Sequence, residues 1–298
     1  MRTLRNDLLM QDLVRPKHTI GNILAPSYAR SVKAGSTWKM TPGSNANVET
    51  DRDPGSTVTG TNNTGTKVLY SCSETSDRQT VDDSEIAQYG GDEEKARLAL
   101  TKTAAVNVAT KSELKVKNAY FALDAMTNES TVLETINSAI DALKLFHGEI
   151  ILAGSSQVLR NLRSDSDIQD AMKRSGIVPA GVDPRFIANE ALAASLNINE
   201  VVEGRGDVWS ATGLVLEIKP DIAFEPKQAV QAARTMAYIA GADANGNDQF
   251  LQCYTGYDDS IKSKYVDVET FIDVEILNES LIKVIDLTDL LDAGGTSS

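Results

Sequence analysis

The sequence predicts an α+β chain that carries two extensions. Three observations support this. Residues from about 92 to 125 follow one long helical run, and residues 265–276 alternate as one unusually long strand. Between them, strand and helix patterns take turns as in a small α/β domain. Ahead of all three stand a short basic arm (1–33) and a polar stretch rich in Gly, Ser, Thr and Asn (about 34–66). Two long elements and two non-globular extensions leave much backbone unburied by their own domain. A chain built this way needs neighbours, so an assembly subunit is a better reading than an enzyme.

Composition narrows the classes. The chain has 298 residues, 41% of them hydrophobic, which is enough for a packed core. Its net charge of −13 is unevenly spread. Residues 1–33 carry Arg2, Arg5, Arg15, Lys17, Arg30 and Lys33 against Asp7 and Asp12, a net of +4, which leaves −17 for the rest. A body this acidic repels nucleic acid, because phosphate binding is driven by Lys and Arg. The arm suits the acidic flank of an identical subunit as well as it suits DNA. No run of 18 apolar residues predicts a membrane span, and no apolar segment near Met1 predicts a secretory signal. Cys72 and Cys253 are expected to be free thiols.

In the arm, Leu4, Leu8, Leu9, Leu13 and Val14 recur at helical spacing until Arg15-Pro16 stops them. This short amphipathic segment has nothing local to pack on. From Ala34 to Thr66 turns dominate: Thr41-Pro42-Gly43-Ser44, Asp53-Pro54-Gly55-Ser56 and Asn62-Asn63-Thr64-Gly65. Short β-prone pieces, Ser36–Met40 and Thr66–Ser71, flank them. The expectation is an extended two-stranded loop over 34–80, with Trp38 and Tyr70 either packed in the core, the usual place of an aromatic, or anchored into a neighbouring subunit.

Gly90-Gly91-Asp92 then starts the long helix, with a face of Ala96, Ala99, Leu100, Thr103 and Val106. If it runs to Leu123 it is about 45 Å long. Thr131-Val132-Leu133-Glu134 fits a capping box for a helix whose face is Val132, Ile136, Ala139, Ile140, Leu143 and Phe146. A buried-type strand at Glu149–Ala153 follows, then a helix at Gln157–Arg163 and a second short helix ending near Gly176. Asp183-Pro184 opens a helix to about Leu196. Strands are expected at Glu200–Val202 and Gly213–Ile218, and from Gln249 the chain reads mostly as strand. In the long strand, Val266, Val268, Thr270, Ile272, Val274 and Ile276 alternate with Asp267, Glu269, Phe271, Asp273 and Glu275; at about 3.3 Å per residue it spans roughly 36 Å. Leu281–Leu287 is a last apolar stretch, and Ala293–Ser298 a loose tail.

No motif carries catalysis. Arg205-Gly206-Asp207 reads as a turn. Gly154-Ser155-Ser156 lacks the rest of a phosphate loop and reads as a helix N-cap. His18 and His147, with Cys72 and Cys253, have spacings that fit no zinc motif. The acidic groups Asp82-Asp83, Asp258-Asp259 and Asp243–Asp248 read as solvated turns, and the last lacks the closing Glu of a calcium loop. No catalytic residue, metal site or cofactor is expected.

The order and length of these parts resemble the major capsid proteins of tailed phages, the Hong Kong 97-like fold. Val81–Glu85 followed by the 92–123 helix resembles a loop return and spine helix. Ile136–Phe146 with Glu149–Leu162 resembles the entry into an axial domain. Ala191–Gly204, Val208-Trp209 and Gly213–Ile218 resemble that domain's helix–strand pair and next strand. Tyr265–Ile276 with Ser280–Lys283 resembles the final strands of a peripheral domain.

The resemblance implies an arm (1–33), an extended loop (34–80), a peripheral domain (81–133 and 249–298) and an axial domain (134–248). It implies a structural protein that assembles with itself into hexamers and pentamers of an icosahedral phage head around double-stranded DNA, read without sequence specificity. It further implies a virion protein, assembled in the host cytoplasm. Its partners would include a portal, a decoration protein in some relatives and, because the arm follows Met1 directly, a separate scaffolding protein or none. Expected inter-subunit contacts are Arg2, Leu4, Arg5, Leu8, Leu13, Arg15, Lys17, Trp38, Lys39, Lys67 and Tyr70. Some relatives form Lys–Asn cross-links; Lys39, Lys67 and Asn278 sit in comparable places, but surface lysines and a turn asparagine explain them better. The alternatives are an encapsulin-like compartment shell of the same fold, or a soluble α/β enzyme with an oligomerisation arm.

Overall fold

The computed structural model describes residues 2–5, 8, 20–40, 65–126, 129–146, 148–174, 176, 188–204, 208–210, 212–220, 230–239, 250–260 and 262–288. Several expectations lie outside the described residues: Leu13, Arg15 and Lys17, the turns of 41–64, His18 and His147, the helix start at Asp183-Pro184, Arg205-Gly206-Asp207, Asp243–Asp248 and the tail.

Thirteen strands and seven α-helices are described. The strands are β1 (Thr3–Leu4), β2 (Ser27–Arg30), β3 (Ala34–Met40), β4 (Gly65–Ser71), β5 (Ser73–Val81), β6 (Ala125–Met126) and β7 (Gly148–Ser155). They continue with β8 (Glu200–Gly204), β9 (Gly213–Pro220), β10 (Ala233–Tyr238), β11 (Gln252–Asp258), β12 (Ser263–Ile276) and β13 (Ile282–Asp286). The helices are α1 (Ile20–Leu24), α2 (Asp83–Gln88), α3 (Glu93–Phe121), α4 (Val132–Leu143), α5 (Ser156–Ser164), α6 (Ser166–Arg174) and α7 (Asn189–Ser195). None of the described helices is long and apolar enough to cross a membrane. The chain forms two compact units, one of residues 1–35, 69–116 and 235–275, the other of 36–68, 117–234 and 276–298.

The first unit is built on a six-stranded sheet ordered β1-β11-β12-β10-β2, with β5 also paired to β12. β12 runs 14 residues and is antiparallel to both β11 and β5. Its even-numbered residues Val266 and Val268 pack with Ala96, Ala104, Ala105 and Val108 of α3, together with Leu8, Val81 and Cys253. The stripe of α3 that is buried comprises Ala96, Thr101, Ala104, Ala105, Val108, Glu113, Val116 and Tyr120. The predicted face was misplaced: Thr103 and Val106 are exposed. Thr101 and Glu113 lie in this buried stripe, and their polar atoms are satisfied inside. Thr101 Oγ1 donates to the Arg97 carbonyl at 2.8 Å. Both carboxylate oxygens of Glu113 accept the Gly21 amide, at 3.0 and 3.1 Å. This bond seats α1, whose Ile20 and Leu24 are fully buried.

The alternation along β12 holds, but its polar face is not solvated. Asp267 and Glu269 are 6% and 4% exposed. On the same strand Tyr265 lies across Gly256, its antiparallel partner on β11, and a Cβ there would stand 2.5 Å from the phenol oxygen. β10 was not foreseen. Its sequence, ARTMAY, lacks a clear period, and five of its six residues are buried.

The second unit holds a five-stranded sheet ordered β6-β13-β9-β7-β8, mixed in direction. The expectation grouped residues 281–287 with the long strand, but β13 pairs with β9 from Ile282↔Glu217 to Asp286↔Gly213. α4 follows its predicted pattern, burying Val132, Ile136, Ala139, Ile140 and Leu143, at about 1.5–3 kcal/mol for each large side chain. Thr131 caps it by accepting from the Glu134 amide at 3.2 Å. The box is only half formed, because the Glu134 carboxylate takes the Ser130 hydroxyl instead. Ser155 caps α5 through the Val158 amide at 3.2 Å. α7 begins at Asn189, later than expected, because Ala188 is extended at φ −62°, ψ 156°.

Candidate assembly surfaces

The N-terminal residues were expected to lack a local partner, and the structure corrects this. Thr3 and Leu4 pair with Thr255 and Tyr254 of β11, and the Arg5 amide continues the ladder to the Cys253 carbonyl at 2.8 Å. The Arg2 guanidinium donates to Glu269 at 2.5 Å and Asp267 at 3.4 Å, and it lies 3.8 Å from the Tyr254 ring centroid. From the other side Arg78 reaches Asp267 at 3.1 Å and Asp258 at 3.6 Å. Arg5 meets Glu94 at 3.3 Å. Leu8 is buried in the core under β12. Arg2, Arg5 and Leu8 therefore make their contacts within this chain. Leu4 keeps half its surface exposed.

The ribbon of β3 and β4 offers a different surface. Thr37 is buried, so the alternation turns Trp38 outward, and 55% of it is exposed. The Trp38 carbonyl is held by the Arg234 guanidinium at 2.8 Å. The Lys67 ammonium lies 5.5 Å from the indole centroid, a cation–π distance. Lys39 is half-buried.

Tyr70 is not an outward anchor. It is 5% exposed and packs with Cys72, Met236 and Phe271. The reason is strand parity: with Tyr70 inward, Leu69 points out and is 78% exposed. Period two in Thr66–Ser71 was the available signal for Leu69.

Among the described residues no group of three or more His, Cys, Asp or Glu is placed to hold a metal ion. Cys72 and Cys253 are free and buried. Asp82 caps α2 by accepting from the Glu85 amide at 2.9 Å. Asn278 is 3% exposed rather than a surface turn residue, and its amide donates to the Gln231 carbonyl at 2.6 Å. One acid stands out. Glu217, on the middle strand β9, is 2% exposed and faces the Tyr120 hydroxyl at 2.6 Å. Burial pushes its carboxyl up to about 8, against the smaller lowering effects of Tyr120 and Lys219. Burial also raises the Tyr120 phenol, and Glu217 adds to this. The pair is enclosed, which fits a structural role.

No family model matches the chain, and no curated protein sequence matches it. Solved structures do. A phage-related protein from Bordetella bronchiseptica RB50 superposes with a TM-score of 0.65 at 16% identity, covering 96% of this chain and 97% of that one. The capsid structure of cyanophage P-SCSP1u gives 0.53 at 11% identity over 88% and 86%. A structure from Mycobacterium phage Bobi gives 0.53 at 11% identity over 92% and 93%. Sharing its architecture end to end with these structures, the chain has the α+β fold of tailed-phage capsid proteins.

Proposed function

We propose that this chain is a shell protein of a phage head, a major capsid protein that assembles with copies of itself around double-stranded DNA. The observation that carries the reading is the end-to-end likeness to the cyanophage capsid structure, 88% of one chain on 86% of the other. A cell-like role as a small soluble enzyme has no such support. In this reading the first unit supplies the peripheral frame and the second, from 117 to 234, most of the axial domain. The outward Trp38, with Lys67 over it, and Leu69 further along β4 are the surfaces for a neighbouring copy. Lys39 flanks them. Leu4 is a further candidate. Hexamers and pentamers, a portal, a separate scaffolding protein and a decoration protein are the partners this role calls for. Assembly would take place in the host cytoplasm, with the mature protein in the virion. The acidic body would leave packaged DNA free to slide.

Electron microscopy of the purified protein, alone and with phage-encoded scaffolding protein, tests this. Shells, tubes or rings of hexamers and pentamers are the expected result. A monodisperse monomer under every condition would overturn it. Particles that enclose a protein cargo and no DNA would move the role to a compartment shell of the same fold.

A further inference from the structure

Among the described residues β2 and β5 each have one unpaired side, β11 would have one without β1, and each of the three is protected differently. β2 has four residues, too short to template much pairing. β5 has nine and is covered by side chains of α3: Lys111 Nζ donates to the Ser76 carbonyl at 3.0 Å and Lys115 Nζ to the Ser73 carbonyl at 3.3 Å. β5 is also rich in charge, reading SETSDRQTV. β11 has neither defence. From Gln252 to Tyr257 it reads QCYTGY, uncharged and β-prone. What lies along it is residues 2–5 of the same chain.

That covering is slight and specific. The ladder comprises Thr3↔Thr255 and Leu4↔Tyr254, extended by the Arg5 amide to the Cys253 carbonyl. Tyr257, 48% exposed, lies beyond it. The segment is seated by Arg2, which reaches the two nearly buried acids Asp267 and Glu269. Arg2 and Arg5 thus bring to this edge the charges that β11 lacks. The N–H and C=O of one strand residue point to the same side, so Cys253, Thr255 and Tyr257 present theirs toward β1.

We propose that residues 2–5 are a cis-acting edge cap, and that the β11 edge beneath them is a strand-pairing site for a second copy of this chain. The second copy fits because β11 is self-complementary. An antiparallel β11–β11 pair about its central residue sets Thr255 opposite itself, Gly256 opposite Tyr254, Tyr257 opposite Cys253 and Asp258 opposite Gln252. No like charges face each other, in a protein whose net charge is −13. Such a pairing is isologous and closes as a dimer. The cap withholds this contact, so that copies meet through other surfaces.

The test places a cysteine at the centre of the edge, Thr255→Cys, 6% exposed in the capped chain and opposite its own copy in the pair, and reads the disulfide-linked dimer on a non-reducing gel after oxidation with copper–phenanthroline. Native Cys72 and Cys253 are buried and stay in place. With the cap intact little dimer forms. Adding Arg2→Glu, which Asp267 and Glu269 repel, raises the dimer at least tenfold. Thr3→Pro, which removes a ladder donor and leaves both acids alone, does the same and guards against a folding defect in the first variant. An excess of a synthetic peptide of residues 2–8 returns the dimer to its starting level, and a scrambled peptide does not. The proposal fails if neither variant raises the dimer, if the peptide does not reverse the rise, or if Thr255→Cys alone dimerises as strongly. The readout is position-specific, so it is independent of whether the protein builds shells.

Discussion

The two sheets bury acids on their middle strands and handle them in opposite ways. On β12, Asp267 and Glu269 are met by Arg2 and Arg78, whose side chains remain 40% and 47% exposed. On β9, Glu217 has one close partner, a neutral phenol, and burial holds its proton on. The first solution needs cations delivered from elsewhere in the chain, one of them from the second residue. The second needs no counter-ion but ties the unit's stability to pH. A buried carboxylate in a sequence does not announce which solution the fold uses; the partners decide it.

The sharpest way to break this contrast is a pH series. Glu217 titrates near 8 in the folded protein and near its ordinary value of 4.5 when unfolded. Between those values the folded form keeps a proton that the unfolded form has lost. Its contribution is therefore complete below pH 4.5 and is lost as pH rises to 8, on the order of 4–5 kcal/mol in all. Urea melts from pH 5 to 8.5 should show the second unit weakening with that sign, and Glu217→Gln should flatten the slope. A wild-type profile as flat as the variant's would remove Glu217 from the account.

Tyr120→Phe comes next in size. It takes away the hydrogen bond of an enclosed acid, at about 1–3 kcal/mol. Because the phenol lowers the Glu217 pKa, the variant's titration should move upward. An unchanged midpoint would mean that the hydroxyl does not act on the acid. Arg2→Ala is smaller, about 1–2 kcal/mol, because the side chain is partly solvated and Arg78 still serves Asp267. Combined with Glu269→Gln, the loss should be less than the sum of the two single changes, as expected for groups in contact. Strict additivity would argue against the pair. Trp38→Ala is the smallest for stability, within about 0.5 kcal/mol, since the ring is mostly exposed. Its effect belongs to assembly: particle yield should fall while the melt stays put.

Much of this architecture is legible in the sequence. The long helix was expected over 92–123 and spans 93–121, and the 265–276 strand lies inside 263–276. Long elements show their period many times over. The Thr131 cap and the α4 stripe were legible because the side-chain oxygen and the apolar spacing are local signals. What was hidden depends on distant partners. The alternation shows that Asp267 and Glu269 share a face of the strand, but nothing nearby in sequence points to Arg2 and Arg78. The burial of Thr101 and Glu113 on α3 likewise depends on distant partners, Cys253 and Gly21. The pairing of β13 with β9 joins residues 65 to 73 positions apart, from Ile282↔Glu217 to Asp286↔Gly213, and no local pattern encodes it. Tyr70 failed differently, since parity could have turned it inward.

The Glu113–Gly21 bond is a second hold on the N-terminal part of the chain, behind the β1–β11 ladder. A pull that has opened that ladder and drawn Leu8 from the core arrives next at Gly21, whose amide is gripped by both carboxylate oxygens of a residue on α3. The load then passes into a helix of 29 residues rather than into the hydrogen-bond ladder of a strand. A ladder peeled from its end opens one bond at a time. A helix gripped at Glu113 has to be displaced with the stripe it buries. Residues 2–5 can therefore be peeled from β11 or traded while α1 stays held on α3, and Gly21→Ala, whose Cβ would stand 2.6 Å from the Glu113 carboxylate, would loosen that clamp at its root.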